Sequence, residues 1–461
     1  MNPINDSNII LDTDSYKSSH FMQYPPNMTR MMSYLESRGG TYPATRFFGL
    51  QYVLKKYLTT RITLEMVEEA NEVLSAHGEP FPLEAWRLIA TELGGNLPLE
   101  IRAVPEGTLV PNHNVLLTCT NTDERFPWLV SWFETMLMRV WYPTTVATQS
   151  YFIRGIIQKA LEESSDDPKS EIAFKLHDFG SRGVSSRESA GIGGLAHLLN
   201  FMGTDTLEAI RLARNYYGAD IAGFSIPAAE HSTVTSWGKE NELEAYRHMV
   251  GMFAKPGAIF AVVSDSYDLK HAINEFWGVA LRQQVIASGA TLVVRPDSGD
   301  PPAVVRMAVN ALEAKFGHTV NSKGYKVLNH VRVIQGDGIN EDSIKEILSA
   351  IMNDGYSATN VGFGMGGALL QKVDRDTQRF AYKASAGIVG GIYRPIYKDP
   401  VTDPRKRSKD GILDLVFENG KFRTMQYTDF ASSYPNSVMR TVFRNGELLV
   451  EDNLETIRSR A

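Results

Sequence analysis

Residues 225–240 read SIPAAEHSTVTSWGKE, with Glu230 and His231 set between small residues and a run of hydroxyls. A buried imidazole beside a carboxylate needs hydrogen-bond partners, because an unpaired polar group away from water costs about 1–3 kcal/mol. The pair therefore asks for a reason, and five other stretches ask for one too. GFGMGGALLQK (362–372) places glycines ahead of an apolar helix-like run, where exposed backbone N–H groups and the helix dipole favour a phosphate; a tight turn needing positive φ is the alternative. RPDSGD (295–300) offers Arg295 and Asp297 for a hydroxylated, charged ligand, or else a rim salt bridge with Asp297 or Ser298 near a helix start. QGDG (335–338) adds Asp337 between glycines that admit a ligand to the backbone. HDFGSRGVSS (177–186) puts Phe179 and Arg182 three apart, an aromatic face and a guanidinium suited to a flat heterocycle beside a phosphorylated group, unless Phe179 is core. In GTDT (203–206), Asp205 is either a helix N-cap or a binding carboxylate.

From about residue 172 the chain repeats a short apolar strand, a polar or glycine-rich stop and a helical stretch, the rhythm of parallel βα units. The strand candidates are EIAFKLHDFGSRG, DIAGFSIPAAEH, AIFAVVSDSYD, ATLVVRPDSGD, VRVIQGDGIN and NVGFGMGGALL. The helix candidates between them include DTLEAIRLARNYYG, ENELEAYRHMVGMFA, DPPAVVRMAVNALEAKFG and NEDSIKEILSAIMNDG. This series favours a closed α/β barrel over a doubly wound sheet. In either, ligands bind where the carboxyl ends of the strands gather, and His231, Asp265, Arg295, Asp297 and Asp337 all lie at such ends. Residues 1–150 read as a smaller α+β domain, 151–390 as the barrel, and 391–461 as a C-terminal segment returning to the smaller domain. That tail carries two hairpin signals, ENGK and RNGE, since Asn-Gly suits a type I′ turn.

The 461 residues, 43% of them apolar, bury a large core in two or three domains. The 47 basic and 53 acidic side chains, net −6, are interspersed, which argues against a nucleic-acid footprint. One cysteine, Cys119, makes no internal disulfide, no opening segment has the pattern of an export signal, and no apolar run approaches the roughly 20 residues of a membrane helix. The expectation is a soluble cytoplasmic protein. Neither HExxH nor a Cys/His cluster occurs, so magnesium is expected only with a substrate.

Taken in order, ILDTDSYKSSHFMQYPP, FFGLQYVLKKYL, HDFGSRGVSSRESAGIGG, GTDT, PAAEHSTVTSWGK, VVSDSYD, RPDSGDP, VIQGDGI and KDPVTDPRKRSKDG resemble the nicotinamide phosphoribosyltransferase family across nearly the full length. The resemblance implies an irregular parallel α/β barrel of the nicotinate/quinolinate phosphoribosyltransferase type, with a smaller α/β domain built from both chain ends. It implies a pentosyltransferase of NAD biosynthesis that makes nicotinamide mononucleotide and pyrophosphate from nicotinamide and phosphoribosyl pyrophosphate. It also implies Mg2+ with the diphosphate, ATP as an optional phosphoryl donor, and a homodimer with shared active sites.

Residue by residue, the resemblance makes His231 a phosphorylated histidine, Asp265 its orienting carboxylate and Glu230 a supporting group. Phe179, with Tyr16 from the partner chain, would sandwich the pyridine ring beside Arg182, and Asp205 would accept from the carboxamide. A substrate acid would set its own carboxylate against Asp205, which disfavours nicotinate. Arg295, Asp297, Gly336 and Asp337 would line the ribose, and Gly366 and Gly367 its 5′-phosphate. Arg38, Arg375, Lys383, Lys398 and Lys406 would surround the phosphates and pyrophosphate. Two departures are Ala261, where the family can place a serine near the carboxamide, and Ala368, which ends a glycine run early. The rival readings are a nicotinate phosphoribosyltransferase, disfavoured by Asp205; a sugar-phosphate aldolase, for which no Schiff-base lysine or metal cluster is evident; and a non-catalytic scaffold.

Overall fold

The structure, a computed structural model, describes residues 3–402, 407–430 and 436–460. Lys406 lies outside the described residues. The chain forms two compact units, Met1–Thr148 with Asn215–Ala219 and Asp374–Ala461, and Gln149–Arg214 with Asp220–Val373.

The second unit is built on six parallel strands, β1 (Leu176–Asp178), β2 (Gly203–Thr204), β3 (Ile259–Val263), β4 (Thr291–Arg295), β5 (Val331–Gln335) and β6 (Val361–Met365), in the order β2-β1-β6-β5-β4-β3. The middles of β3 to β6 are buried on both faces, which is why they read as continuous apolar runs rather than alternating ones. Residues 224–228 span the two edges of this sheet. Thr204 N donates to Phe224 O at 3.0 Å at the β2 edge, and Ala261 N donates to Pro227 O at 2.9 Å at the β3 edge. Single bridges, Phe224 to Gly203 and Ala228 to Ala261, stand in place of a ladder. DIAGFSIPAAEH, expected as a full strand, is therefore only an extended stave. Pro227 has no N–H to donate, so a regular ladder cannot run through it. The barrel is irregular at this stave.

Helices follow the strands: α1 (Arg187–His197), α2 (Leu207–Tyr217), α3 (His231–Thr235), α4 (Glu242–Phe253), α5 (Pro301–Phe316), α6 (Glu341–Asn353) and α7 (Gly367–Leu370). Their starts are written locally. Ser186 Oγ accepts from Ser189 N at 3.0 Å, and the Asn340 side chain caps α6 through Asp342 N and Ser343 N. Asp300 caps α5 by accepting from Ala303 N at 3.2 Å, just ahead of Pro301 and Pro302. Because Asp300 does this work, neither Asp297 nor Ser298 has to.

In the first unit a seven-stranded sheet runs in the order 392–395, 380–389, 28–37, 115–121, 99–103, 440–444, 447–448. Both chain ends thus build one sheet, as 440–444 pairs with 99–103 and 380–389 pairs with 28–37. The chain returns to this unit at Asp374, ahead of the return expected near 391, because strand 380–389 belongs to that sheet. Both Asn-Gly sites are tight two-residue turns with positive φ, 53° and 75° at Asn419 and Gly420, 50° and 84° at Asn445 and Gly446. Trp86, Trp128 and Trp132 meet edge-to-face at 5.3–5.4 Å in the core of this unit, and Cys119 is a buried free thiol.

Candidate active site

The sequence-predicted residues of the second unit collect at the carboxyl ends of its strands. Phe179 follows β1, and its N–H donates to Met365 O at 3.0 Å at the end of β6. Its ring lies over two glycines. A Cβ at Gly364 would meet Phe179 Cε2 at 1.9 Å, and one at Gly336 would meet it at 3.3 Å. Glycine in the interior of β6 is the condition for an aromatic face to lie across the strand ends. The ring packs on the cluster of Ala261, Val293 and Ile334, as does Ile226. A cavity of about 590 Å³ lies toward the amino ends of the strands, lined by Lys175, Ile259, Thr291 and Arg332 there and by His177 and Ser225 further along.

Arg182 is exposed on the turn Ser181–Gly183, and Asp205 is exposed on the turn after β2. Asp205 Oδ1 accepts from Ser225 Oγ on the irregular stave. Burial holds His177 below its ordinary value, with the charge of Asp205 opposing. Ala261, buried beside Val293 and Ile334, contributes no hydroxyl to the site.

His231 opens α3 and is 45% exposed at its side chain, whereas Asp265, past β3, is only 6% exposed. His231 Nε2 lies 3.0 Å from Asp265 Oδ1. Asp265 Oδ2 accepts from Asp297 N at 2.9 Å and from Ser298 Oγ at 2.5 Å. Burial pushes the Asp265 carboxyl up, but the donors Ser298 Oγ, Asp297 N–H and His231 outweigh it and hold the group below its ordinary value. A carboxylate only accepts, so the proton of neutral His231 sits on Nε2 and the lone pair on Nδ1. Nδ1 faces Asp297 Oδ2 at 3.9 Å, and Arg295 Nη2 lies 3.5 Å from that same oxygen. Glu230 does not join this group; its carboxylate is taken by Ser232 Oγ.

Gly366 precedes α7, and the turn carrying Gly180 and Gly183 packs directly on it: a Cβ at Gly183 would lie 3.3 Å from Gly367 N, and one at Gly180 3.0 Å from Gly366 O. Gln149 Nε2 donates to Ala368 O at 3.0 Å. Asp337 is exposed on the turn after β5. Among the described residues no three His, Cys, Asp or Glu side chains converge to hold a metal.

In the first unit, Arg38, Arg375, Lys383 and Lys398 line one cavity of about 910 Å³, joined by Arg379, Arg407 and Lys409 and by the acids Glu36, Glu134 and Asp376. Arg38 Nε donates to the buried Glu36 at 2.9 Å. Burial lowers Lys383 from its ordinary value, Glu134 opposes, and Lys398, Arg38 and Lys17 lower it further; such a crowd of cations suits a polyanion. Tyr16 is 56% exposed, edge-on to His20 at 5.0 Å.

The profile of the Nicotinate phosphoribosyltransferase (NAPRTase) family matches residues 174–447, which include every second-unit position above except Gln149. The chain belongs to the nicotinate phosphoribosyltransferase family. A second profile, Nicotinamide phosphoribosyltransferase, N-terminal domain, matches residues 8–101 of this family member. It is 55% identical to the nicotinamide phosphoribosyltransferase of Xanthomonas campestris pv. campestris, covering 98% of each chain. It is 32% identical to that of Acinetobacter baylyi, covering 97% of this chain and 95% of the relative. The fold is that of the nicotinate-nucleotide pyrophosphorylase of Pyrococcus furiosus, with a TM-score of 0.62 at 16% identity over 100% and 95% of the two chains. Human nicotinic acid phosphoribosyltransferase gives 0.58 at 18% identity over 97% and 92%.

Sequence reasoning missed three groups that hold this phosphoribosyltransferase site together: Ser225, Gly364 and Asp178. Gly364 carried a readable signal, a glycine inside a strand pattern. Asp178 carried none, since an aspartate ending a strand is ordinary. It is fully buried, and burial pushes its carboxyl up to about 6 from 3.8, opposed by the Gly180 N–H and by the neighbouring Thr206 and Thr204 hydroxyls. A carboxyl raised in the folded state contributes stability below its unfolded pKa and loses it as pH rises through the folded value. Between about pH 4 and pH 7, wild-type protein should therefore lose roughly 2–3 kcal/mol relative to Asp178→Asn. Paired urea unfolding at the two pH values checks this, and a constant difference would refute it.

Proposed function

We propose that this chain transfers the 5-phosphoribosyl group from phosphoribosyl pyrophosphate to nicotinamide, giving nicotinamide mononucleotide and pyrophosphate for NAD biosynthesis. The observation that carries the reading is the Phe179 ring over Gly364 and Gly336 at the strand ends, with Arg182 and Asp205 on the adjoining turns. An aromatic face binds a flat ring by stacking, and a carboxylate acceptor reads the N–H of an amide and repels an acid. The relatives named nicotinamide phosphoribosyltransferase at 55% and 32% identity support the same substrate.

The chemistry needs no protein nucleophile at C1. As the C1–O bond to pyrophosphate breaks, the ribose gains oxocarbenium character. The pyridine nitrogen then gives its lone pair to C1, and pyrophosphate leaves with the bonding electrons. Phe179, and Tyr16 of the partner subunit, hold the ring in line. Arg295, Asp297, Gly336 and Asp337 hold the ribose, and the backbone at Gly366 and Gly367 its phosphate. Arg38, Arg375, Lys383, Lys398 and Lys406 would offset the charge of the leaving group, and magnesium arriving with the diphosphate would add to that charge stabilisation. Positioning and charge stabilisation are the principal sources of rate in such a transfer. The enzyme works as a cytoplasmic homodimer in this reading.

ATP enters through His231. Its Nδ1 lone pair attacks the γ-phosphorus, ADP leaves, and Asp265 stabilises the imidazolium by accepting from Nε2. His231→Asn should abolish the phosphohistidine and the stimulation by ATP. Phosphate labelling from γ-labelled ATP, followed by acid-lability analysis, checks it; undiminished labelling would refute it.

The decisive assay supplies phosphoribosyl pyrophosphate, Mg2+ and either nicotinamide or nicotinate, with and without ATP, and follows mononucleotide formation. Faster use of nicotinate would overturn the reading.

A further inference from the structure

We propose that Asp178 is the positioning residue that fixes the ring-stacking turn and the amide-reading carboxylate in register with each other. This rests on the nicotinamide reading of the site above. Asp178 ends β1, and its side chain and its backbone reach different arms of the site. Oδ1 accepts from Gly180 N at 2.7 Å, in the peptide segment that joins Phe179 to the turn bearing Arg182. The Asp178 carbonyl accepts from Asp205 N at 3.0 Å. Oδ2 lies 3.4 Å from Thr204 Oγ1, and that same oxygen accepts from Thr206 N at 3.0 Å, so the residues on both sides of Asp205 are tied in. Helix α1 closes over the carboxyl: a Cβ at Gly194 would come within 2.9 Å of Oδ2.

A purely structural role fits poorly. The side chain is fully buried, and no cation pairs with it among the described residues. Burying an ionisable carboxyl in such a place costs free energy that an apolar residue of similar size would not. What an apolar residue could not supply is an acceptor for Gly180 N–H at this spot. That acceptor sets where Phe179 leaves the strand, and Phe179 must in turn clear Gly364 to lie flat. The carbonyl bond to Asp205 then refers the amide reader to the same atom framework. A shift of one arm against the other by a fraction of an ångström would lose either the stack or the amide contact, so the expected cost falls on the pyridine substrate rather than on the phosphoribosyl donor.

Asp178→Ala should raise KM for nicotinamide about tenfold while KM for phosphoribosyl pyrophosphate moves less than about twofold. Asp178→Asn, whose Oδ1 still accepts from Gly180 N, should bring KM for nicotinamide back to within about threefold of wild type. An alanine variant with unmoved KM for nicotinamide would overturn the assignment, as would an asparagine variant as impaired as alanine. Should the alanine variant fail to fold, hydrogen exchange in the wild type decides: Gly180 and Asp205 amides protected well beyond that of Ser181 support the assignment, and equal exchange overturns it. A wild-type protein that makes no mononucleotide from nicotinamide overturns the functional reading itself, whereas an active wild type with these variant results at fault overturns only the role of Asp178.

Discussion

Gly364→Ala will cut kcat/KM for nicotinamide at least about thirtyfold, roughly 2 kcal/mol of transition-state binding. The added methyl would stand 1.9 Å from Phe179 Cε2 and 2.2 Å from Cδ2, so the ring must leave its place. Its backbone cannot follow, because Phe179 N–H is held by Met365 O at 3.0 Å and the next peptide by Asp178. The ring can therefore move only by changing its own torsions, which lifts it off Ala261, Val293 and Ile334 and tilts the face that would carry the pyridine. Overpacking of this kind also costs about 1–3 kcal/mol of stability. Steady-state kinetics and a melting curve measure both. A double variant separates the causes: in Phe179→Ala, adding Gly364→Ala should lower kcat/KM little further, because the clashing ring is gone. A full additional thirtyfold loss would show that Gly364 acts by some other route.

Asp205→Asn should move the preference for nicotinamide over nicotinate by about a hundredfold toward the acid. Two unit charges about 4 Å apart near a protein surface repel by up to about 4 kcal/mol, and exposure of Asp205 to solvent reduces that. Asparagine keeps an oxygen for Ser225 Oγ, so the side chain stays anchored while its other arm changes from acceptor to donor. The donor then meets a carboxylate favourably and an amide N–H unfavourably. Rates with the two pyridines in competition give the ratio directly. A ratio unchanged in the variant would remove Asp205 as the selector and leave the ring stack as the sole recognised feature of the substrate.

The site residues that local pattern made legible are those whose chemistry is tied to strand ends. Asp265, Arg295, Asp297 and Asp337 follow apolar runs that become β3, β4 and β5, and the parallel arrangement brings those ends together without further instruction. The Asn-Gly hairpins were equally legible, since two consecutive positive φ values narrow the choice of residue. Glu230 illustrates the opposite case: adjacency to His231 suggested partnership, yet backbone direction at the start of α3 turns it to Ser232 and leaves His231 to Asp265, 34 positions along the chain.

By itself, then, the order of residues determined a βα series with a polar mouth, a smaller domain made from both ends of the chain, and a family likeness carried by motifs spread along its length. Tertiary structure alone decided that residues 224–228 span the sheet edges without a ladder, that Asp205 is anchored by Ser225, and that Phe179 lies across Gly364. The reason is one of range. Periodicity and turn chemistry act over a few residues and are written in neighbours, whereas these contacts join loops that meet only after the sheet has assembled, and no local preference encodes which of them will touch.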